Sequence, residues 1–324
     1  MKHIRKVLLC LIILEFFNLT IGYLKNGMEI FLPYSGFNDP PQYFDIDSIY
    51  GVTRIKNSKQ MASYPWGSNI HKVNSMGFRD DEFNENGILV IGNSFVEGYG
   101  LDNKDRFTDI LEKRLNVNIN NAGSGAVWTP IQGLILLKSL LKVEKLNFNK
   151  IVFIITPGEI ANIGNRSPEN DTHRNYPYKK NDSIAFHISK ENTFNNNLTL
   201  TDKVKRFSKN LFVFKVYNTL KYYGSSRTSK RSINFNKKNL DWLLNKIEEE
   251  DFNHKIDIVL INNLGRKSVN HIYEEFKNKN LENITLNIIE FPDELSNYFI
   301  SNGHLNKKGN LVLANLLEQF FKNY

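Results

Sequence analysis

The chain holds a single cysteine, Cys10, in 324 residues, which excludes both a disulfide framework and a thiolate-ligated metal site. The histidines offer little more to a metal: His71, His173, His187, His254 and His271 show neither an i, i+4 spacing nor a carboxylate partner. No alanine precedes Ala62, so an Ala-x-Ala processing site is missing from the amino terminus, and Leu9 before Cys10 does not suit a lipoprotein signal. Internal repeats are absent. Basic residues are not interleaved with aromatics on any nucleic-acid module, so nucleic acid is not an expected partner. The formal net charge is +8, but abundant Lys, Asn and Ile attribute it to AT-rich coding sequence rather than to an anionic ligand. Neither a cofactor nor a metal is expected.

What is present suits a large core. A chain that is 41% hydrophobic and 12% aromatic fits one elaborated α/β domain better than two equal ones. Lys2, Arg5 and Lys6 precede an apolar run over 7–24, interrupted by Glu15 and Asn18, so residues 1–24 read as a signal or an anchor. The missing cleavage site favours an uncleaved anchor, with the basic end in the cytoplasm and the large domain extracytoplasmic. A cleaved signal processed near Thr20 to Gly22, giving a secreted protein, is the rival, and Glu15 leaves a peripheral hydrophobic helix open. Residues 25–73, with Pro33, Pro40, Pro41 and Pro65, read as an ordered extension without clear periodicity.

The organising stretch is Ile88-Leu89-Val90-Ile91-Gly92-Asn93-Ser94-Phe95-Val96-Glu97-Gly98-Tyr99-Gly100. Four aliphatics between Gly87 and Gly92 predict a strand covered on both faces, and Ser94 then stands at its carboxyl end. Strands are also predicted at 117–120, 151–156, 256–262 and 284–290, alternating with helices at 102–115, 131–145, 237–250, 268–279 and 311–321. This alternation predicts a doubly wound parallel sheet with helices on both faces. Residues 163–234 interrupt it as an insertion, a candidate lid or substrate platform. Glu248, Glu249, Glu250 and Asp251 read as a solvated helix end.

Gly-Asn-Ser after a strand is common turn chemistry when taken alone. Near the other end of the chain, however, stands Asn302-Gly303-His304-Leu305-Asn306-Lys307-Lys308-Gly309. A serine after the first sheet strand and a histidine before the last helix can meet as nucleophile and base.

Together these residues resemble the SGNH (GDSL-type) hydrolase family over residues 74 to 322. Gly92-Asn93-Ser94-Phe95 resembles the first block, with Asn93 replacing the usual aspartate. Asn121-Ala122-Gly123-Ser124-Gly125 resembles the second, and Asn74-Ser75-Met76-Gly77-Phe78-Arg79-Asp80 is similar to a lead-in of bacterial members. The resemblance implies a three-layer, flavodoxin-like domain over 74–324, with Ser94 as nucleophile and His304 as base. It assigns the oxyanion hole to the Ser94 and Gly125 N–H groups, with Asn162 as a further candidate. Glu159 stands at the depth of the family's third-block asparagine. Ser301 stands where the triad acid belongs, so the histidine orienter is expected to be Ser301 or, second, Asp293, with Glu290 also in reach. Arg79 and Asp80 are expected to play a structural part beneath the site. The implied activity is a serine esterase removing a short acyl group, acetyl by choice, from a carbohydrate or small ester. The alternatives are an O-acetyltransferase, working with a multi-span acyl-supplying membrane partner, and a degenerate glycan-binding member.

Overall fold

The computed structural model describes residues 2–26, 44–64, 67–125, 128–163, 176–188, 237–262, 281–292, 294–299 and 303–322, together with 200, 201, 211, 213, 216 and 217. Helix α1 (Lys2–Asn26) is followed by two hairpins, β1 (Phe44–Asp47) with β2 (Gly51–Arg54) and β3 (Lys59–Tyr64) with β4 (Gly67–Lys72). The sequence pattern showed no strands there. Among the described residues each pairs only with its own partner, and what anchors them is tertiary: Phe44, Tyr50, Val52, Ala62 and Tyr64 are buried in the domain core. Trp128 Nε1 also donates to Val52 O at 3.0 Å.

The central sheet contains β5 (Ile88–Gly92), β6 (Ile119–Gly123), β7 (Lys150–Ile155), β10 (Ile256–Asn262) and β11 (Ile284–Glu290). Its order is β11-β10-β7-β5-β6, and every neighbouring pair is parallel. In sequence order this is the 2-1-3-4-5 arrangement, whose winding reverses between β5 and β7; ligands bind outside the carboxyl ends at such a point. The expected doubly wound sheet is therefore present. Alternation along β5 shows why: Leu89 and Ile91 join one core layer, Ile88 and Val90 the other.

Helix α2 (Ser94–Glu97) follows β5, and α3 (Phe107–Leu115) packs with the last helix on one face. The predicted helix at 102–115 starts late because Arg106 is extended at φ −76 and ψ 148, held by partners described below. On the other face α4 (Pro130–Lys138) begins with Pro130 at its first position, where no N–H is missed. Thr129 N and Oγ1 donate to Gln132 Oε1 at 2.7 and 2.6 Å. The helix then loosens into a π turn over Ser139–Val143. Helix α5 (Pro157–Asn162) follows β7, and the insertion contributes the hairpin β8 (Tyr176–Lys180) and β9 (Ser183–His187). Helices α6 (Lys237–Glu249) and α7 (Lys307–Lys322) lie close to their predicted bounds. The predicted helix at 268–279, most of the insertion, and His173 and His271 lie outside the described residues.

The anchor expectation is corrected in part. Residues 2–26 are helical, but among the described residues no helix is long and apolar enough to cross a membrane. The apolar run is broken by Glu15 and Asn18, whose side chains bond each other at 3.0 Å. Val7, Leu8, Ile12, Phe16 and Phe17 are nevertheless more than half exposed, between 57% and 67%.

Candidate active site

Ser94 is held at the edge of the crevice by short-range backbone chemistry. A side chain at Gly92 would come within 2.4 Å of Val96 Cγ2 and 2.9 Å of Ile154 O, so the chain can pass there only as glycine. Asn93 then caps α2: its Oδ1 accepts from Phe95 N at 2.8 Å, and its own carbonyl accepts from Glu97 N at 3.0 Å. Ser94 becomes the first helical residue, half-buried, and the turn closes at Gly98 with φ 71.

The carbonyls around this turn are tied down by buried donors. Arg79, fully buried, donates to Gly98 O at 3.0 Å and to Leu101 O. Arg106 donates to Arg79 O, to Asp109 Oδ2 at 2.6 Å and to Asp80 Oδ1 at 3.2 Å. Asn121 Nδ2 donates to Val96 O at 2.7 Å and to Thr108 Oγ1 at 2.8 Å. Asp80 also accepts from Asn121 N at 2.7 Å, and burial pushes its carboxyl up to about 6 against the pull of Arg106. Burial, then Arg106, bring Arg79 down to about 10, so it stays charged at neutral pH. The lead-in arginine is thus structural, and the ion pair of Asp80 is with Arg106 rather than Arg79.

His304 comes from a loop built on asparagines. Asn306 Nδ2 donates to Ser296 O and Tyr298 O at 2.8 and 3.0 Å, while its Oδ1 accepts from Gly309 N at 3.0 Å and caps α7. Asn310 Oδ1 accepts from Phe107 N at 3.1 Å, locking α7 to α3. Phe299 N donates to His304 O at 2.8 Å, and Gly303 turns the chain at φ 73. The ring lands with Nε2 2.8 Å from Ser94 Oγ. Tyr99 stacks on it at 4.3 Å and Phe95 lies at 5.8 Å. Burial in this aromatic setting pushes the imidazole down to about 4, opposed by the Glu97 carboxylate. The ring is therefore neutral at pH 7, the form that accepts a proton.

Gly125 adjoins the serine, since a Cβ on it would lie 3.6 Å from Ser94 Cβ. Gly123 donates its N–H to Asn121 Oδ1 at 3.0 Å and is committed there. The third block differs from the family pattern in an ordered way. Thr156 N and Oγ1 donate to Glu159 Oε2 at 2.7 and 2.9 Å, and the nearby Asn93 side chain also favours the ionised form of this carboxyl group. Burial lifts Glu159 to about 7, against those bonds. Asn162 is exposed at the last residue of α5. Glu159 rather than Asn162 is thus the third-block side chain that lies toward the nucleophile turn. Glu290 accepts from Asn262 Nδ2 at 2.8 Å, and Ser301 and Asp293 lie outside the described residues.

Sequence reading missed Arg54, which reaches from β2 to bond Glu97 Oε1 through Nε at 2.6 Å. It also missed Glu97 and Tyr99, although both lie within the organising stretch. His71 is fully buried, 3.4 Å from the Tyr64 hydroxyl, and burial holds it well below the usual imidazole range. His254 bonds Asn147 Oδ1 at 3.0 Å. Among the described residues no group of three His, Cys, Asp or Glu side chains could hold a metal ion.

In motif order and site geometry the chain resembles the SGNH (GDSL-type) hydrolases, with Asn93 and Glu159 as departures. No family model matches it, and no curated protein matches it. Solved structures do. A putative lipolytic protein of the G-D-S-L family from Desulfitobacterium hafniense DCB-2 aligns at 10% identity and TM-score 0.38, covering 72% of this chain and 98% of its own. A G-D-S-L family member from Veillonella parvula DSM 2008 aligns at 11% identity and TM-score 0.36, covering 73% and 98%. AlinE4, a SGNH-hydrolase family esterase, aligns at 14% identity and TM-score 0.33, covering 75% and 98%. A likeness of this size bears on neither substrate nor reaction.

Proposed function

We propose that the protein is a serine esterase of SGNH type. The observation that carries this is the 2.8 Å contact between Ser94 Oγ and His304 Nε2, residues 210 apart in sequence, at the carboxyl end of β5. His304 takes the Ser94 proton as Oγ bonds the ester carbonyl carbon, and the carbonyl electron pair moves to oxygen. The Ser94 and Gly125 N–H groups hold that oxyanion. Collapse expels the alcohol with the proton from His304, and water repeats the sequence to release the acid. Each oxyanion donor is worth roughly 10²- to 10³-fold in rate.

The substrate proposed is a short acyl ester, acetyl on a carbohydrate, following the family resemblance. The exposed apolar side chains of α1 support attachment of the chain to a membrane surface. The reaction is tested with the full chain and p-nitrophenyl acetate: Ser94→Ala is expected to abolish turnover, and unchanged turnover would remove the proposal. Co-sedimentation with lipid vesicles tests the attachment, which fails if the full chain stays in the supernatant.

A further inference from the structure

One buried acid beside the site has no part in that mechanism. Glu97 ends the helical turn that Ser94 begins, and it is 0% exposed. Arg54 grips Oε1 through both Nε and Nη2. Oε2 has no hydrogen-bond partner among the described residues. It lies 2.1 Å from where a Gly125 Cβ would stand, and that same point is 3.6 Å from Ser94 Cβ. Carboxylate and nucleophile thus flank one glycine. Burying an acid with one oxygen unbonded costs stability, and packing alone would be served better by a neutral side chain.

Resting on the esterase reading, we propose that Glu97 is a positioning residue for the reaction. Its carboxylate, offset by Arg54 of the amino-terminal extension, supplies from the nucleophile's own helix the negative charge that stabilises the His304 imidazolium as Ser94 gives up its proton. The ring meets Ser94, Phe95 and Tyr99 directly, none of them charged at neutral pH. The Glu97 carboxylate acts on His304 and favours its protonated form. Arg54 is the cation in contact with Glu97, and Arg79 adds a longer-range positive charge toward it. Negative charge for the imidazolium thus comes from α2, and β2 of the extension becomes part of the catalytic apparatus.

The test is an NMR titration of His304 in the full chain in detergent, its signal assigned by loss in His304→Asn. Glu97→Gln is expected to lower the midpoint and Arg54→Gln to raise it, each by about one pH unit. Labelling of Ser94 by a fluorophosphonate is expected to slow roughly tenfold in Glu97→Gln. If Arg54→Gln does not fold, Arg54→Gln/Glu97→Gln keeps the pair neutral and is expected to show the lowered midpoint. A midpoint unmoved in folded Glu97→Gln or in the double variant would overturn the role of Glu97 while leaving the esterase intact. Full activity in Ser94→Ala would instead overturn the esterase reading itself.

Discussion

The Asn93 side chain lies beside the carboxyl group of Glu159, across the gap between β5 and β7, and favours its ionised form against burial. The resembled family has an acid at the first position and an amide at the second, so this chain carries the same pair exchanged. An amide and a carboxyl group satisfy each other in either order, whereas two carboxylates or two amides do not. Asn93→Asp alone is expected to lower both stability and kcat/KM. Adding Glu159→Asn should recover part of the loss, with a coupling of about 0.5–3 kcal/mol in thermal or denaturant unfolding. Strict additivity of the two substitutions would contradict the exchange.

Because burial holds His304 down at about 4, the base is neutral across the weakly acidic range. The acid limb of kcat/KM should fall near pH 4 rather than near 6.5. Glu159 shifts the other way, up to about 7. Its folded-state preference for the protonated form is fully present below the unfolded value of 4.5 and is lost as pH rises through about 7. Glu159→Gln should therefore gain stability relative to the parent between pH 5 and 8. A constant difference across that range would remove the assigned shift.

Arg79 is placed to brace the nucleophile turn rather than to meet an anionic substrate. Replacing it with Met removes the bonds to Gly98 O and Leu101 O and should cost on the order of 3 kcal/mol in unfolding. In whatever fraction remains folded, kcat should fall more than KM rises for a neutral ester. A stable variant with only a raised KM would point to substrate binding instead.

The sheet, its helices and the Ser94 and His304 positions were legible because they rest on local pattern: β5 is a buried aliphatic run that ends in glycine, and α7 is amphipathic. Arg54 and Glu97 were not legible as parts of the site, and Glu159 was legible in its depth but not in its orientation. Arg54 reaches Glu97 across 43 residues through two short hairpins with no period to detect, and the orientation of Glu159 is set by Thr156, which draws it back over α5. Helix α3 began late for the same reason, its start fixed by partners of Arg106 distant in sequence.

A second-order prediction concerns the loop before His304. If the charge of Glu97 serves the histidine, an acid near the loop is dispensable: Asp293→Asn should change kcat/KM little, and Ser301→Asp should preserve or raise it. A loss of about 10³-fold or more in folded Asp293→Asn protein would show that a carboxylate in the loop completes a triad.

Activation of Ser94 as a nucleophile by His304 is tested by intact-mass and peptide mass spectrometry after fluorophosphonate treatment. One adduct is expected, on Ser94, absent in Ser94→Ala and formed at least about 10²-fold more slowly in His304→Gln. An adduct on another residue, or none in folded wild-type protein, would contradict it.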